Sequence, residues 1–519
     1  MKFRLVWKVV MLAAIAAVGF LRAGSAETNL NHPNTVKLFV RAVPISVLGK
    51  TVKVVTIDQS DGMQGFSPDQ SGGFHVELVN QLPVPTSIHW HGLVLPNLMD
   101  GVPYVTQEPI PPGGSSKYDF PLKQSGTYWM HSHYGLQEQQ LTSAPMIIRT
   151  PGQSKLADAE FTVMLSDFSF TSPQEILKGL KGSMSAMHGK GDIKAMNMSK
   201  PEKPLVVQQW DSASQRLVSR QVEGPPPDID VQYDALLANR RTLEDPQVFP
   251  VKPGQTVLLR LIAASAATNF FIDTANLDAT IIATDGENVK PLKGNFFQLA
   301  IAQRLDLLVT IPTTGGVFPV LALGEGTTLQ AGFLLASPGA GTTKLGLGIR
   351  GQRTMGALDN TQETRLEAEE PLPERPVQRS LPSLLGGNMA PYTWTINGAS
   401  YPNRNSLDVK EGERVEIVNT NESGMSHPMH LHGHVFEVTE IDGQKIHGAK
   451  RDTILVPPKS TIKFVFDADN PGVWAYHCHI LYHLAAGMFT VLKYEGADEK
   501  FWQPDKTESE LENPLVFAQ

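Results

Sequence analysis

The sequence predicts an all-β protein of three consecutive β-sandwich domains, and three observations carry that reading. Short runs rich in Val, Ile and Thr alternate with turn signals along a chain holding 44 Gly and 38 Pro, whereas helical periodicity is scarce. The 519 residues are too many for one hydrophobic core and suit about three domains of ordinary size. A unit of about 150 residues then recurs three times. Its signature Gly472-Val-Trp-Ala-Tyr-His477-Cys-His479 lies in register with Gly126-Thr-Tyr-Trp-Met-His131-Ser-His133 and with Gly316-Val-Phe-Pro-Val-Leu321-Ala-Leu323.

The chain opens with Lys2, Arg4 and Lys8, an apolar run from Val9 to Phe20 and small residues ending at Ala26, the pattern of a cleaved export signal over residues 1–26. That run is short for a membrane span, and no later segment is apolar enough to cross a bilayer. Export to the periplasm, or secretion, is expected, with no membrane association once the signal is removed. The single cysteine excludes an intramolecular disulfide, so a fold bound for an oxidising compartment rests on its cores. Losing Lys2, Arg4, Lys8 and Arg22 with the signal lowers the formal net charge from -8 to -12, which argues against nucleic acid as a partner.

The first sandwich is expected over 27–152, where the strand signal His75 to Leu82 precedes His89-Trp-His91-Gly92. The second is expected over 160–340. There Val251 to Ile262 precedes Asn269-Phe-Phe-Ile272, and Leu321 and Leu323 stand where the other units have histidine, so this unit lacks metal ligands. Between the two, Ser172-Pro173-Gln174-Glu175 is a capping box with Pro at the first helical position and predicts a short helix. An insert at about 182–200 follows, with Met184, Met187, His188, Met196 and Met198 in a Gly, Lys and Ser background. Ser337 to Leu385, rich in Gly, Thr, Pro and Glu, reads as a linker into the third sandwich over 380–519, whose end past about 500 is a polar tail. Here Val409 to Thr420 precedes His430-Leu-His432-Gly433.

The chemistry centres on GVWAYHCHILYHLAAGM, Gly472 to Met488. On a strand His477 and His479 face one way and Cys478 the other, so one strand can serve two metal sites. A thiolate with His483, a second histidine and the distant thioether of Met488 describes a blue-copper site, against the bland alternative of a buried free cysteine. His427, which stands outside the paired histidines, is the natural second imidazole. With 15 His in 519 residues chance places about 0.4 His-x-His pairs, yet five occur, so the pairs are purposeful. Two domains with two pairs each gather His89, His91, His131, His133, His430, His432, His477 and His479. Eight imidazoles suit a cluster of transition metals, because one tetrahedral zinc takes four ligands.

HWHG, HSH, HPMHLHGH and HCHILYHLAAGM, in this order and spacing, resemble the four copper motifs of the multicopper oxidases, and the match spans the mature chain. The resemblance implies three cupredoxin-like Greek-key domains and four copper ions. By motif position the type 1 copper falls to His427, Cys478, His483 and Met488, and the type 2 copper to His89 and His430. One type 3 copper falls to His91, His131 and His479, the other to His133, His432 and His477. YWMHSHYGLQEQ, VMLSDF and HCHILYH are similar to the bacterial copper-resistance oxidases. Unlike many of those, the chain has no paired arginine before its apolar run, and its Met and His tract precedes the second domain.

The implied reaction couples four one-electron oxidations of a small reducing substrate, Cu(I) or a phenol-like donor, to reduction of dioxygen to water. Electrons reaching Cys478 leave through the backbone to His477 and His479. Asp100 in MDGVP matches the family's carboxylate near the type 2 copper and is a candidate proton relay, against the plain role of a turn residue. Glu138 is a second candidate, while Tyr482 stands where some members have Glu. Met184, Met187, His188, Met196 and Met198 suit Cu(I), against the alternative of an incidental surface loop. Two rivals from other classes are a periplasmic copper store with little oxidase activity and a metal-free scaffold.

Overall fold

In Phe74–Asn80 every second residue is buried and those between reach the surface, the pattern of a strand with one face on a core. Strands at the site differ. Ile88–His91, His427–Leu431 and Val473–Cys478 are buried at every position, because both faces are covered. The computed structural model describes residues 35–150, 156–182, 204–340 and 347–503.

Six sheets pair into three sandwiches. In the first, a four-stranded sheet ordered Lys50–Asp58, Val36–Val47, Phe74–Asn80, Ser115–Phe120 meets a three-stranded one of Ile88–His91, Gly126–Ser132 and Ser143–Ile148. Phe74 of one sheet packs edge-on against Trp90 of the other at 4.8 Å. The second sandwich combines nine- and five-stranded sheets, and the third seven- and five-stranded sheets. The second has its own core around Leu259, Phe270, Leu307 and Phe333, whereas one continuous apolar cluster runs from Leu38 and Trp90 of the first to Trp474 and Leu492 of the third. Merging those two cores brings the His-bearing sheets together. The contact is finished by Asn97 Nδ2, which donates to the Val473 carbonyl at 2.7 Å, and Asn470 Nδ2, which donates to the Leu95 carbonyl at 3.0 Å.

The expected helix spans Pro173–Gly182. Glu175 N–H donates to Ser172 Oγ at 3.3 Å and Ser172 N–H to Glu175 Oε2 at 3.2 Å, which are the two reciprocal bonds of the box. A second helix, Leu481–Ala485, follows the cysteine. No described helix is long and apolar enough to cross a membrane.

One expectation needs correction. The 337–385 stretch is packed rather than a free linker wherever it is described: Met355, Leu358, Leu366 and Ala368 are buried, and Thr354–Met355 adds a strand to the second domain's sheet. Burial of these side chains and the Glu363–Arg451 ion pair at 2.7 Å outweigh its loop-like composition. In the middle unit Leu321 pairs with Asp273, and Asn269 Nδ2 donates to Glu325 Oε2 at 2.7 Å.

Candidate metal centre

Two pairs of strands carry most of the site. His427–Leu431 runs antiparallel to Val473–Cys478 with His430 opposite His477, and Ile88–His91 runs antiparallel to Gly126–Ser132 with His89 opposite His131. The same pairing therefore recurs in the first and third sandwiches. Because neighbouring residues on a strand face opposite ways, His477 enters the cluster between the domains while the Cys478 thiol enters a separate one.

Cys478 Sγ lies 3.6 Å from both His427 Nδ1 and His483 Nδ1, and those two nitrogens are 3.1 Å apart. His483 comes from the Leu481–Ala485 helix. Backbone bonds tie the loop together: Met488 N–H donates to the His483 carbonyl at 3.0 Å, and Cys478 N–H donates to the Met488 carbonyl at 3.1 Å. Met488, His427, Cys478 and His483 are each 0% exposed. On the outer side Ser423 Oγ sits 2.7 Å from His427 Nε2, Asp230 Oδ2 sits 2.9 Å from His483 Nε2, and Trp394 covers the His483 ring at 3.9 Å. Burial pushes the thiol up, and burial together with His483 holds His427 well below the usual histidine range.

The eight paired histidines converge at the interface of the first and third sandwiches. His432 Nε2 and His477 Nε2 are 3.0 Å apart, with His133 beside both rings at centroid distances of 5.2 and 5.0 Å. His131 Nε2 lies 3.4 Å from His91 Nδ1 and 3.4 Å from His479 Nε2, and His89 and His430 approach through Nε2 at 3.5 Å. The nitrogens turned away have fixed partners. His89 Nδ1 donates to the Asp100 carbonyl at 2.9 Å, His432 Nδ1 to Asp100 Oδ2 at 2.9 Å, His430 Nδ1 to the Asp452 carbonyl at 2.8 Å, and His477 Nδ1 to the Cys478 carbonyl at 2.9 Å. Each such bond fixes the tautomer and leaves a bare lone pair on the inner nitrogen.

Facing lone pairs 3.0 to 3.5 Å apart repel unless a cation lies between them. Donor separations of 3.0–3.6 Å are what bonds of about 2.0–2.3 Å to a shared first-row ion span. Protonation is no alternative, because burial first and neighbouring imidazoles next hold His91, His131, His133, His430, His432 and His479 well below their usual range, and burial holds His477 at about 4. The neutral imidazole is the ligand form. The thiolate with two imidazoles and the all-imidazole cluster thus fit copper.

Both candidate carboxylates reach the cluster. Asp100 is 0% exposed and bridges His89 and His432, its Oδ1 lying 3.1 Å from His89 Nδ1 and its Oδ2 2.9 Å from His432 Nδ1. The turn role also holds: Gly101, at φ +84°, sits so tightly against the Ile88 carbonyl that no side chain fits. Glu138 Oε2 is 3.4 Å from His131 Nδ1 and its Oε1 3.7 Å from His479 Nδ1, while burial and then Asp167 push its carboxyl up. His434 bonds Tyr494 Oη at 2.7 Å outside the cluster, and Trp90, Trp129 and Trp474 are core. Met184, Met187, His188, Met196, Met198 and the 1–26 segment lie outside the described residues.

Sequence reasoning missed Asp230, Asp452 and Arg304. Asp452 Oδ1 lies 3.1 Å from His91 Nε2, and Arg304, from the second domain, donates to it at 2.8 Å. The sequence shows Arg304 in AQRLD and the acidic run PPPDID, but nothing in their spacing ties them to either cluster.

Comparisons with known proteins identify the family. Family models described as multicopper oxidase match residues 40–153, 203–336 and 374–498. The chain is 36% identical over 419 residues to multicopper oxidase MmcO of Mycobacterium tuberculosis, covering 81% of this chain and 79% of that protein. It is 27% identical over 530 residues to copper resistance protein A of Escherichia coli, covering 81% and 86%. Among solved structures, Fet3p, a multicopper oxidase that functions in iron import, superposes with a TM-score of 0.70 at 21% identity over 92% of this chain and 94% of that one. The chain therefore belongs to the multicopper oxidases, copper enzymes that pass electrons from a reducing substrate to dioxygen.

Proposed function

We propose that this oxidase takes electrons from a metal cation, Cu(I) first among them, in an exported, periplasmic or secreted setting, with domains over 27–152, 160–340 and 380–519. In this reading His427, Cys478, His483 and Met488 hold the type 1 ion and His89 with His430 the type 2 ion. His91, His131 and His479 hold one type 3 ion, and His133, His432 and His477 the other, four coppers in all. When bound, copper supplies one-electron oxidation at the cysteine site and reduction of dioxygen at the histidine cluster.

The observation that carries this reading is the covalent continuity of the two sites. Cys478 is joined by one peptide link to His477 and by another to His479, and its carbonyl accepts the His477 Nδ1 proton at 2.9 Å. A copper store needs no such wiring. The cation preference rests on Asp230, whose side chain is 1% exposed, whose Oδ2 lies 2.9 Å from His483 Nε2, and whose Oδ1 has no partner among the described residues. Asp228, an exposed residue close enough for Asp230 to push its carboxyl up after burial does, is a second acidic group on this side. A carboxylate so close to His483 favours a cationic donor over a neutral one.

Protons for water formation come to the cluster through Asp100 and Glu138, whose Oδ1 and Oε1 lie 3.1 Å from His89 Nδ1 and 3.7 Å from His479 Nδ1 and have no hydrogen bond of their own among the described residues. His133 is the member of the eight that is not fully buried, and it borders a cavity of about 240 Å³ walled by Val102, Val105, Tyr401 and Phe489, which suits entry of dioxygen. The test of the wiring is Cys478→Ser. The blue colour and substrate turnover should vanish while the eight-histidine cluster still binds copper, since Ser132 occupies the matching place in the first domain. Retained turnover in that variant would remove the route.

A further inference from the structure

Arg304 belongs to the middle domain, which contributes none of the eight histidines, yet it ends beside them. It is 0% exposed, a burial that is tolerable only if every donor is met. Nε donates to the Thr127 carbonyl of the first domain at 3.1 Å. Nη1 donates to the Ala302 carbonyl at 3.2 Å and to Asp452 Oδ1 of the third domain at 2.8 Å. Nη2 donates to the Asp285 carbonyl at 2.9 Å and to Asp452 Oδ2. All five N–H groups are thus used, on three domains.

The acceptor it fixes touches two cluster histidines. Asp452 Oδ1 accepts from His91 Nε2 at 3.1 Å, and the Asp452 carbonyl accepts from His430 Nδ1 at 2.8 Å. Gln303, the residue before Arg304, donates to the Thr453 carbonyl at 3.0 Å, and Thr453 Oγ1 lies 3.2 Å from His91 Nε2 and 3.1 Å from His430 Nδ1. His91 turns Nδ1 inward, whereas the close contacts of His89, His131, His430, His432, His477 and His479 run through Nε2. The Asp452 bond selects that inversion. Gly92, directly after His91, has φ +88°, and a Cβ there would lie 2.6 Å from Arg304 Nη2 and closer still to Asp452 Oδ2. The glycine of the HWHG motif is therefore the space that the ion pair occupies.

We propose that Arg304 is a positioning residue of the trinuclear cluster: the ligand-free middle domain, through Asp452, sets which ring nitrogens of His91 and His430 face the metal. This rests on the ligand assignment above. Lysine cannot replace it, because a compact ammonium with three donors cannot span five acceptors in a planar fork.

The test compares Arg304→Lys and Arg304→Met with Arg260→Met in copper-loaded full-length protein. Arg260 is the control for domain docking: its Nη1 donates to Thr127 Oγ1 at 2.8 Å and pairs with Asp306 at 2.6 Å, with no histidine among those partners. Both Arg304 variants should keep the blue absorption of the cysteine site, lose about 10- to 100-fold in copper affinity at the cluster, and show an altered type 2 EPR signal. Arg260→Met should lower the melting temperature of the copper-free protein and leave the EPR signal unchanged. Wild-type copper content and EPR in Arg304→Lys, or the same spectral change in Arg260→Met, would overturn the proposal. If the Arg304 variants cannot be isolated, Asp452→Asn is read by the same copper titration and spectrum, and a wild-type result there overturns it equally. Failure of the wild-type chain to bind four coppers would instead strike the ligand assignment.

Discussion

Replacing Met488 by leucine separates the electronic role of the thioether from its packing. Met488 is 0% exposed, and its backbone is held by bonds of 3.0 and 3.1 Å to His483 and Cys478 that do not involve the side chain. A methionine-to-leucine exchange nearly conserves volume and costs under about 1.5 kcal/mol, so the loop and the Cys478, His427, His483 triangle should survive. What is lost is a weak axial donor that favours the oxidised ion. If that donor contributes about 1.4 kcal/mol to the difference between oxidation states, the one-electron potential rises by about 60 mV. Redox titration of the blue absorption band measures this directly. A potential that is unchanged or lower would remove Met488 from the ligand set.

Other substitutions probe the two ends of the electron path. Asp230→Asn keeps a side-chain acceptor for Tyr392 Oη but removes the charge beside His483. Steady-state assays should show a raised KM for Cu(I) and no loss of rate with a small phenol, and a parallel fall of both would refute the cation preference. Asp100→Asn and Glu138→Gln should leave anaerobic bleaching of the blue band at wild-type speed and slow its return on mixing with dioxygen, by about 100-fold or more for a lost proton donor. Slowed bleaching in stopped flow would mean that these carboxylates act on the cysteine site instead. Deleting residues 183–200, with their four methionines and one histidine, should slow Cu(I) oxidation more than phenol oxidation. Equal effects on the two rates would deny the tract a cuprous role.

The parts of the site readable in the sequence are those encoded by local spacing. Alternation on a strand places His477 and Cys478 on opposite faces, and the repeat of GxYxMHSH and GVWAYHCH carries the same geometry into two domains, so twelve positions could be named without coordinates. Asp100 was found because it follows the HWHG strand closely, and Glu138 because it follows His133 by five residues. Asp230, Asp452 and Arg304 were not found, because each meets its histidine only through the packing of one domain on another. Asp230 lies more than 200 residues from His483 in the chain, and Asp452 more than 300 from His91. The 337–385 segment was read from composition, which cannot register the pairing of Glu363 with Arg451.

The central claim is that a cysteine site and a histidine cluster joined through Cys478 act as one four-electron device. The most direct measurement is oxygen uptake by the copper-loaded chain during Cu(I) oxidation, together with its copper content. The account predicts four coppers per chain, four Cu(I) oxidised per dioxygen consumed, and no hydrogen peroxide in solution. Four bound coppers with two Cu(I) oxidised per dioxygen and peroxide released, or with no oxygen uptake at all, would contradict it.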